Sequence, residues 1–332
     1  MRRREFLKTL TASGAAFTMS KLSKVIGRQN ILAGGSGGKG NAPVLRRRPY
    51  GKSGAKLSVI GFGGLCLSGV EQPHADKVVA RAVEKGVNYF DVAPTYGDAE
   101  LKLGPALQPY RKKIFLACKT IQRKAKQARA ELKSSLKRLR TDHLDLYQLH
   151  GLTDVEKDVD AVFAKDGAME AFKEARKAGL VRHLGFSAHC EEAAVAAMDR
   201  YDFDSVMFPI NFACWLAGNF GRRVIEKAKA KNVAVLAIKA LARQQWPSKR
   251  HPDRRKFAKC WYQPTSDRRE AELALRFTLS QPVTAAISPG EEALLWLAVD
   301  IAKDFKPITP DEQQQLKALA AKLNPIFTRK GT

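Results

Sequence analysis

A repeating rhythm constrains this chain more than any other feature. Eight short apolar runs begin near Leu57, Val87, Ile114, Leu144, Val181, Val206, Val233 and Val283, and charged stretches separate most of them. Examples of the separators are 74–85 (HADKVVARAVEK), 125–139 (AKQARAELKSSLKRL), 168–178 (AMEAFKEARKA) and 222–231. Apolar strands alternating with amphipathic helices build βαβ units, and these build a parallel sheet. Eight units after Leu45 match a closed (β/α)8 barrel, an α/β fold of about 250 residues. A doubly wound sheet is the second architecture that such alternation allows. Against it, Gly61-Phe62-Gly63-Gly64 lacks the third glycine of a GxGxxG turn. The spacing between the seventh and eighth runs is the longest and holds an insertion at 243–269.

Composition excludes several classes. Hydrophobic residues make up 45% and charged residues 27% of the 332 positions, which is globular composition and not that of a disordered chain. The net charge of +25 raises nucleic-acid binding as a function. Yet residues 1–48 hold eleven Lys/Arg against one acid, Glu5, and the chain shows no nucleic-acid recognition motif. No nucleic-acid partner is therefore expected. The five cysteines (Cys66, Cys118, Cys190, Cys214, Cys260) form no CxxC and no metal-ligand spacing, so neither a disulfide framework nor a metal site is expected. No apolar run reaches the roughly 18–20 residues of a membrane span.

The chain starts Met1-Arg2-Arg3-Arg4-Glu5-Phe6-Leu7-Lys8, followed by a weakly apolar stretch at 9–19 and a glycine-rich run at 34–40. Adjacent arginines before Phe-Leu-Lys resemble a twin-arginine export signal. Residues 1–44 are thus expected to be a signal and flexible linker, and 45–332 the barrel domain. Export machinery would be a partner and the periplasm, or another exported location, the destination. The alternative is a disordered basic arm on a cytoplasmic protein.

The polar residues at the ends of the runs carry the chemistry. The second run ends in Val87-Asn88-Tyr89-Phe90-Asp91, with Tyr96 in the following loop. The third ends in Lys119 and the fourth in His150. Side chains alternate along a strand, which places Asp91 with Tyr89, Lys119 with Phe115 and Ala117, and His150 with Leu144 and Leu146. Such a quartet has definable chemistry. A phenol near pKa 10 is a poor acid, an ammonium beside it stabilises the phenolate, and a carboxylate holds the ammonium in place. Tyr96 could then protonate a carbonyl oxygen that a histidine orients. The other histidines, His74, His143, His183, His189 and His251, receive no role, and Cys118 reads as a core thiol.

Three elements together resemble the aldo-keto reductase family. They are Gly86-Val87-Asn88-Tyr89-Phe90-Asp91-Val92-Ala93-Pro94-Thr95-Tyr96-Gly97 with Glu100, then Lys119, then Asp145-Leu146-Tyr147-Gln148-Leu149-His150. Fainter echoes lie at 57–64, in Gly185-Phe186-Ser187 and in Ser288-Pro289-Gly290, and the similarity spans roughly 46–300. The resemblance implies a (β/α)8 barrel, a nicotinamide cofactor, usually NADPH, and reversible reduction of a small-molecule carbonyl substrate. It matches Asp91, Tyr96, Lys119 and His150 to the catalytic tetrad. It also implies cofactor-binding roles for Gly64, Asp91, Ser187, Met207, Asn211, Ile238, Lys239, Leu241, Ser288 and Gly290.

Several positions depart from the family pattern. Ala188 follows Ser187 where Asn is common, and Met207 replaces a Gln that helps hold the nicotinamide amide. Ile238 takes the place of a stacking aromatic. Glu291 and Glu292 open the segment where NADPH-binding members place Lys, Arg and Ser, and Trp296 falls near the usual Arg. Two carboxylates would repel a 2′-phosphate and suit a ribose 2′-hydroxyl instead. The expected cofactor is therefore NADP(H), with NAD(H) as the alternative, and the nine Lys/Arg of the 243–269 insertion are a candidate phosphate clamp. A barrel that senses nicotinamide as a binding or regulatory module is the alternative function. The altered cofactor positions favour it and the intact tetrad opposes it.

Export is testable without a structure. Replacing both Arg3 and Arg4 by Lys should trap the protein in the cytoplasm, because adjacent arginines are the receptor-read feature. Unchanged cell fractionation of that double variant would remove the twin-arginine reading.

Overall fold

A hairpin closes the bottom of a barrel whose top carries the polar residues. The computed structural model describes residues 45–329, so the expected signal at 1–44 lies outside the described residues. The hairpin pairs β1 (Arg47–Pro49) antiparallel with β2 (Lys56–Ser58). The barrel strands that follow are β3 (Ile60–Gly63), β4 (Tyr89–Asp91), β5 (Phe115–Thr120), β6 (Leu144–Leu152), β7 (Val181–Ala188), β8 (Ser205–Pro209) and β9 (Ala234–Ile238). Within the 243–269 insertion and at its edge, β10 (Ala242–Gln244) pairs with β11 (Gln263–Pro264). The last strand, β12 (Ala285–Ile287), pairs parallel with both β9 and β3 and closes the circle. The structure is thus the closed, parallel, eight-stranded barrel expected of the alternation, formed as one α/β domain.

The expected first strand near Leu57 is displaced. Leu57 belongs to the hairpin, and barrel pairing begins at Ile60. The apolar run continues through both elements, so hydrophobic pattern alone cannot show where the chain turns from floor into wall. The floor is well anchored. Tyr50 and Leu57 are fully buried against Tyr89, Phe115, Leu146 and Leu236 from inside the barrel. The Tyr50 hydroxyl is 2.8 Å from Ser205 Oγ, and Arg48 donates to the Val283 and Leu279 carbonyls at 2.7 Å each. Apolar side chains such as these contribute about 1.5–3 kcal/mol each when fully buried. Gly61 admits the Tyr89 ring to this interior, since a Cβ there would lie 2.6 Å from it.

Because all eight strands run the same way, their C-terminal ends meet at the opposite mouth. Three distant segments build over that mouth. They are the loop after β4 that carries Tyr96, the 243–269 insertion, and the tail beyond the helix Pro310–Ala320. That helix starts with a capping box between Thr309 and Glu312. The tail returns to the barrel through Arg329 N–H to the Gly218 carbonyl at 2.9 Å. Among the described residues no helix is long and apolar enough to cross a membrane.

The Tyr96 loop is held by the helix behind it, Ala99–Leu107. Its Glu100 accepts a hydrogen bond from Arg138 Nε at 2.6 Å and one from the Cys118 thiol at 3.3 Å. Gly104 lets this helix lie directly on the end of the neighbouring helix Ala125–Arg138. A Cβ on Gly104 would run into the Arg138 carbonyl oxygen and sit 2.9 Å from the Leu139 backbone. Neither obstacle is a flexible side chain. Gly104→Ala should therefore cost about 1–3 kcal/mol of stability, read as a lower urea midpoint. An unchanged midpoint would show that the two helices part without penalty.

Candidate active site

Three strands deliver three polar groups to one point. Asp91 is the last residue of β4, Lys119 lies near the end of β5, and His150 lies near the end of β6. Lys119 is completely buried and forms an ion pair with Asp91. Its ammonium also donates to the Val92 carbonyl at 3.2 Å. The second carboxylate oxygen of Asp91 accepts from Gln148 Nε2 at 3.1 Å and faces the Tyr89 hydroxyl at 3.5 Å. Tyr96 covers this pair from the loop above. Its ring centroid is 5.0 Å from the Lys119 ammonium and 5.9 Å from the His150 ring, which stands edge-on at 85°. The four residues singled out by sequence therefore converge, and Asp91, Tyr96 and His150 line one cavity of about 260 Å³.

The electrostatics of this point follow from burial and the ion pair. Burial works against charge on Lys119, but Asp91 beside it more than offsets that and holds the lysine above its ordinary range. Burial raises the Tyr96 phenol, and Lys119 pulls in the opposite direction. The phenol thus keeps its proton at neutral pH, yet has a fixed cation under its ring. A phenolate formed there is stabilised by that cation, by about 4 kcal/mol for unit charges about 4 Å apart at an effective dielectric of about 20. Burial, then the nearby Lys119, His189, Arg123 and Lys239, pushes His150 down to about 3, so its imidazole is neutral. Its Nδ1 is buried without a hydrogen-bond partner among the described residues.

The remaining candidates separate into two groups. Ser187, Met207, Ile238, Lys239, Ser288 and Gly290 line the same cavity as Asp91. Gly64, Asn211 and Leu241 do not. Gly64 opens the short 3-10 turn Gly64–Leu67 after β3, with its Cα packed behind the Asp91 carbonyl. Asn211 caps the helix Phe212–Leu216 by accepting from the Cys214 amide at 2.9 Å. Leu241 is buried in an adjoining niche with Ile60 and Leu275, which shares Ile287, Ser288 and Pro289 with the wall of the cavity.

The cavity fits the ring end of a nicotinamide cofactor. Met207, Ile238 and Ile287 give it an apolar wall against which an aromatic ring can lie flat. Ser187 Oγ accepts from the Gly151 amide at 2.8 Å, which leaves its own hydroxyl proton to donate. The two glutamates after β12 are differently placed from the sequence expectation of a ribose partner. Glu291 accepts from the Lys259 amide at 2.6 Å, and Glu292 is engaged by His74 at 2.7 Å and Trp296 at 2.8 Å. The Arg81 guanidinium stacks 4.1 Å over Trp296.

Sequence reasoning missed part of the mouth. His189, given no role, is 3.1 Å from the Lys239 ammonium and lines the cavity. It stacks on Phe327 of the tail with ring centroids 5.5 Å apart. Lys259, Trp261 and Tyr262 of the insertion also line the cavity. The basic, aromatic composition of the insertion marked it as a segment of interest, but nothing in the sequence pairs His189 with Lys239 or brings Phe327 back to the barrel.

A closed parallel barrel that brings Asp91, Lys119, Tyr96 and a neutral His150 together at its C-terminal mouth has the architecture of an α/β-barrel oxidoreductase. The comparisons agree. The model of the "Aldo/keto reductase family" matches residues 59–321, and this chain belongs to that family. It is 35% identical over 157 residues to the uncharacterized oxidoreductase YqkF of Bacillus subtilis (strain 168), a match covering 43% of this chain and about half, 49%, of that protein. It is 24% identical over 314 residues to the L-galactose dehydrogenase of Arabidopsis thaliana, covering 85% of this chain and 95% of that protein. Among solved structures, the holo form of aldo-keto reductase AKR11C1 from Bacillus halodurans superposes with a TM-score of 0.66. That match is 23% identical, covers 86% of this chain and 100% of the other, and carries the fold alone.

The histidines of the mouth make stability pH-dependent. His150 and His189 are each held at about 3, chiefly by burial, against an ordinary value near 6.5. Below pH 6.5 the unfolded chain takes up protons that the native state refuses, so stability falls as pH drops from 6.5 toward 3 and is unaffected above. His150→Gln and His189→Gln should each shrink the loss of melting temperature between pH 7 and pH 5. Melts with the same pH dependence as the parent protein would mean that these imidazoles accept protons in the folded state.

Proposed function

We propose that this protein reduces the carbonyl group of an aldehyde or ketone, reversibly, with Tyr96 as the proton donor. The observation that carries the proposal is the buried Lys119–Asp91 pair beneath a protonated Tyr96 that faces a cavity. A nicotinamide cofactor, when bound, supplies the hydride. The chain's own residues do the rest. Met207, Ile238 and Ile287 would receive the ring and exclude water from its face. Ser187 would donate to the ring's amide. His150, neutral, would donate a hydrogen bond to the carbonyl oxygen and set its direction toward Tyr96. Tyr96 passes its phenolic proton to that oxygen. Lys119 stabilises the phenolate left behind, and Asp91 keeps Lys119 charged and in place.

NADP(H) is the cofactor we assign. Family use supports it, and the Arg81 guanidinium, stacked over Trp296 and attracted to Glu292, offsets part of the charge that would oppose a 2′-phosphate. The binding-module reading rests on Met207 and Ile238 in place of a Gln and an aromatic. The intact relay favours catalysis over it. Export by the adjacent arginines remains part of the proposal, in which case the protein works outside the cytoplasm.

The test is a comparison of NADPH and NADH as reductants of an aromatic aldehyde, in the parent protein and in Tyr96→Phe. NADPH should give the higher kcat/KM. Tyr96→Phe should lower turnover by about 10²–10⁴-fold, the span for loss of a positioned acid, while quenching of protein fluorescence by NADPH persists. Full turnover in the Phe variant would remove the phenol from the reaction. Cofactor binding without turnover in the parent protein would favour the binding module.

A further inference from the structure

The positive charge of this protein is concentrated rather than spread over the barrel. Residues 108–140 hold twelve Lys/Arg against one acid, Glu131, and the 243–269 insertion holds nine against two. The remaining described residues carry 28 Lys/Arg against 29 acids and so balance. Within 108–140 the two kinds of cation are used differently. Four of the five arginines are paired: Arg111 with Asp145, Arg123 with Asp158, Arg129 with Glu174 and Arg138 with Glu100. Lys119 is the buried partner of Asp91. The other six lysines, at 112, 113, 124, 126, 133 and 137, are exposed and have no ion pair among the described residues.

The fold gathers these lysines on one face. Along the helix Ala125–Arg138, Lys126, Lys133 and Lys137 fall within about 40° of one another around the axis and span about 16 Å. The opposite side of the helix, with Ala128, Leu132 and Leu136, is buried against the barrel. Arg111 donates to Thr141 Oγ1 at 2.9 Å and to the His143 carbonyl at 2.8 Å. These bonds hold the turn Gln108–Lys113, with Lys112 and Lys113, against the end of the helix. Two exposed aliphatic side chains border the face, Ile121 directly after β5 and Leu101 on the neighbouring helix Ala99–Leu107.

Local stability does not account for the lysines. The helix has Lys124 as its N-cap with no side-chain cap bond, no acid in its first turn, and Lys126 at the positive end of its dipole. Lys133 and Lys137 are like charges four positions apart, which also disfavours a helix. Nor does the chain supply a complement. Residues 1–44 hold eight Lys/Arg and one acid. The most acidic stretch of the described residues, 154–160, is used internally. There Asp158 pairs with Arg123, Asp160 with Arg200, and Asp154 accepts from the Lys157 amide at 2.7 Å.

We propose that the face built by residues 108–140 docks on an anionic phospholipid bilayer, with the barrel as a peripheral protein. Charge complementarity calls for a negative surface, and the kind of cation selects which. Guanidinium forks suit phosphates held in fixed geometry, as on a nucleic acid, and here carboxylates engage most of them. The free groups are ammonium ions on flexible stems, which suit the diffuse field of anionic headgroups. The lysine stripe offers no aromatic ring for stacking on bases, whereas Ile121 and Leu101 suit the boundary between headgroups and acyl chains. The inference goes beyond the reductase reading and does not rest on it.

The full-length protein is sedimented with vesicles of phosphatidylcholine, and with vesicles in which phosphatidylglycerol replaces a quarter of that lipid. Binding should require phosphatidylglycerol. It should fall at least tenfold between about 0.1 M and about 1 M salt, where the screening length shrinks from about 10 Å to about 3 Å. The triple variant Lys126→Glu, Lys133→Glu, Lys137→Glu should lose at least tenfold in vesicle affinity, and the same three lysines changed to Arg should keep it. Lys306→Glu, Lys317→Glu, Lys322→Glu makes the same change in net charge on exposed lysines of the balanced surface. It should cost about threefold at most. Residues 1–44 are common to every variant, so the differences belong to the barrel. Melting temperatures report folding, and Gln at the three helix positions replaces Glu if the Glu variant does not fold. Equal losses in the two Glu variants, or binding indifferent to phosphatidylglycerol, would overturn the proposal. So would a helix variant that keeps vesicle binding but loses binding to a labelled RNA duplex, because the partner would then be nucleic acid. Self-association without vesicles, abolished by the helix variant, would overturn it as well and assign the face to a second copy. Aldehyde turnover is measured separately, so the reductase reading stands or falls independently.

Discussion

The ion pair between Lys119 and Asp91 is the interaction on which the rest of the mouth depends. Neither side chain has meaningful contact with solvent. Removing two such charges from water costs several kcal/mol per ion, and only good geometry with further hydrogen bonds recovers it. The barrel supplies both. Asp91 and Lys119 sit on adjacent parallel strands, with Asp91 in register with Ala117, two residues before the lysine. Gln148 from the next strand and the Val92 carbonyl satisfy the remaining groups. A pair so enclosed is weak evidence for stability and strong evidence for a fixed charge beneath Tyr96.

A fixed charge is useful only under a fixed phenol. The Tyr96 loop gains its position from the helix behind it, where Glu100 joins Arg138 and Cys118 across three elements. Cys118 points away from the cavity, as alternation along β5 requires, and serves this outer contact while its neighbour Lys119 serves the inner one. The rigid floor at the other end of the barrel has a complementary role. With Tyr50, Leu57 and the strand interiors packed as one cluster, loops at the mouth can vary without loosening the wall that carries the relay.

The mouth then divides by charge. On the Tyr96 side, the Lys119 cation is neutralised by Asp91 beneath the phenol. On the Lys239 side, no carboxylate among the described residues pairs with the cation, which lies beside a neutral imidazole and two rings. The insertion and the tail create this second half, and neither belongs to the repeating strand–helix frame. Glu291 reinforces the arrangement by binding the backbone of Lys259, so a carboxylate expected to meet a ribose instead anchors the insertion.

The sequence by itself determined the frame and the polar cluster at its mouth. Eight apolar runs at strand length, spaced by helices, leave few ways to bury their faces, and the alternation of side chains puts Asp91, Lys119 and His150 on the inner side of three successive strands. Periodicity is local, so it survives in one dimension. It could not divide the run at 57–63 between floor and wall, because both elements bury the same residue types. It could not show that Asn211 spends its carbonyl on a helix cap or that Leu241 lines an adjoining niche. Nor could it join His189, Lys239, Trp261 and Phe327, which lie on four separate segments as much as 138 positions apart. Tertiary structure decided those contacts, because loops and tails have no period and their partners are set only by where the closed barrel brings their ends.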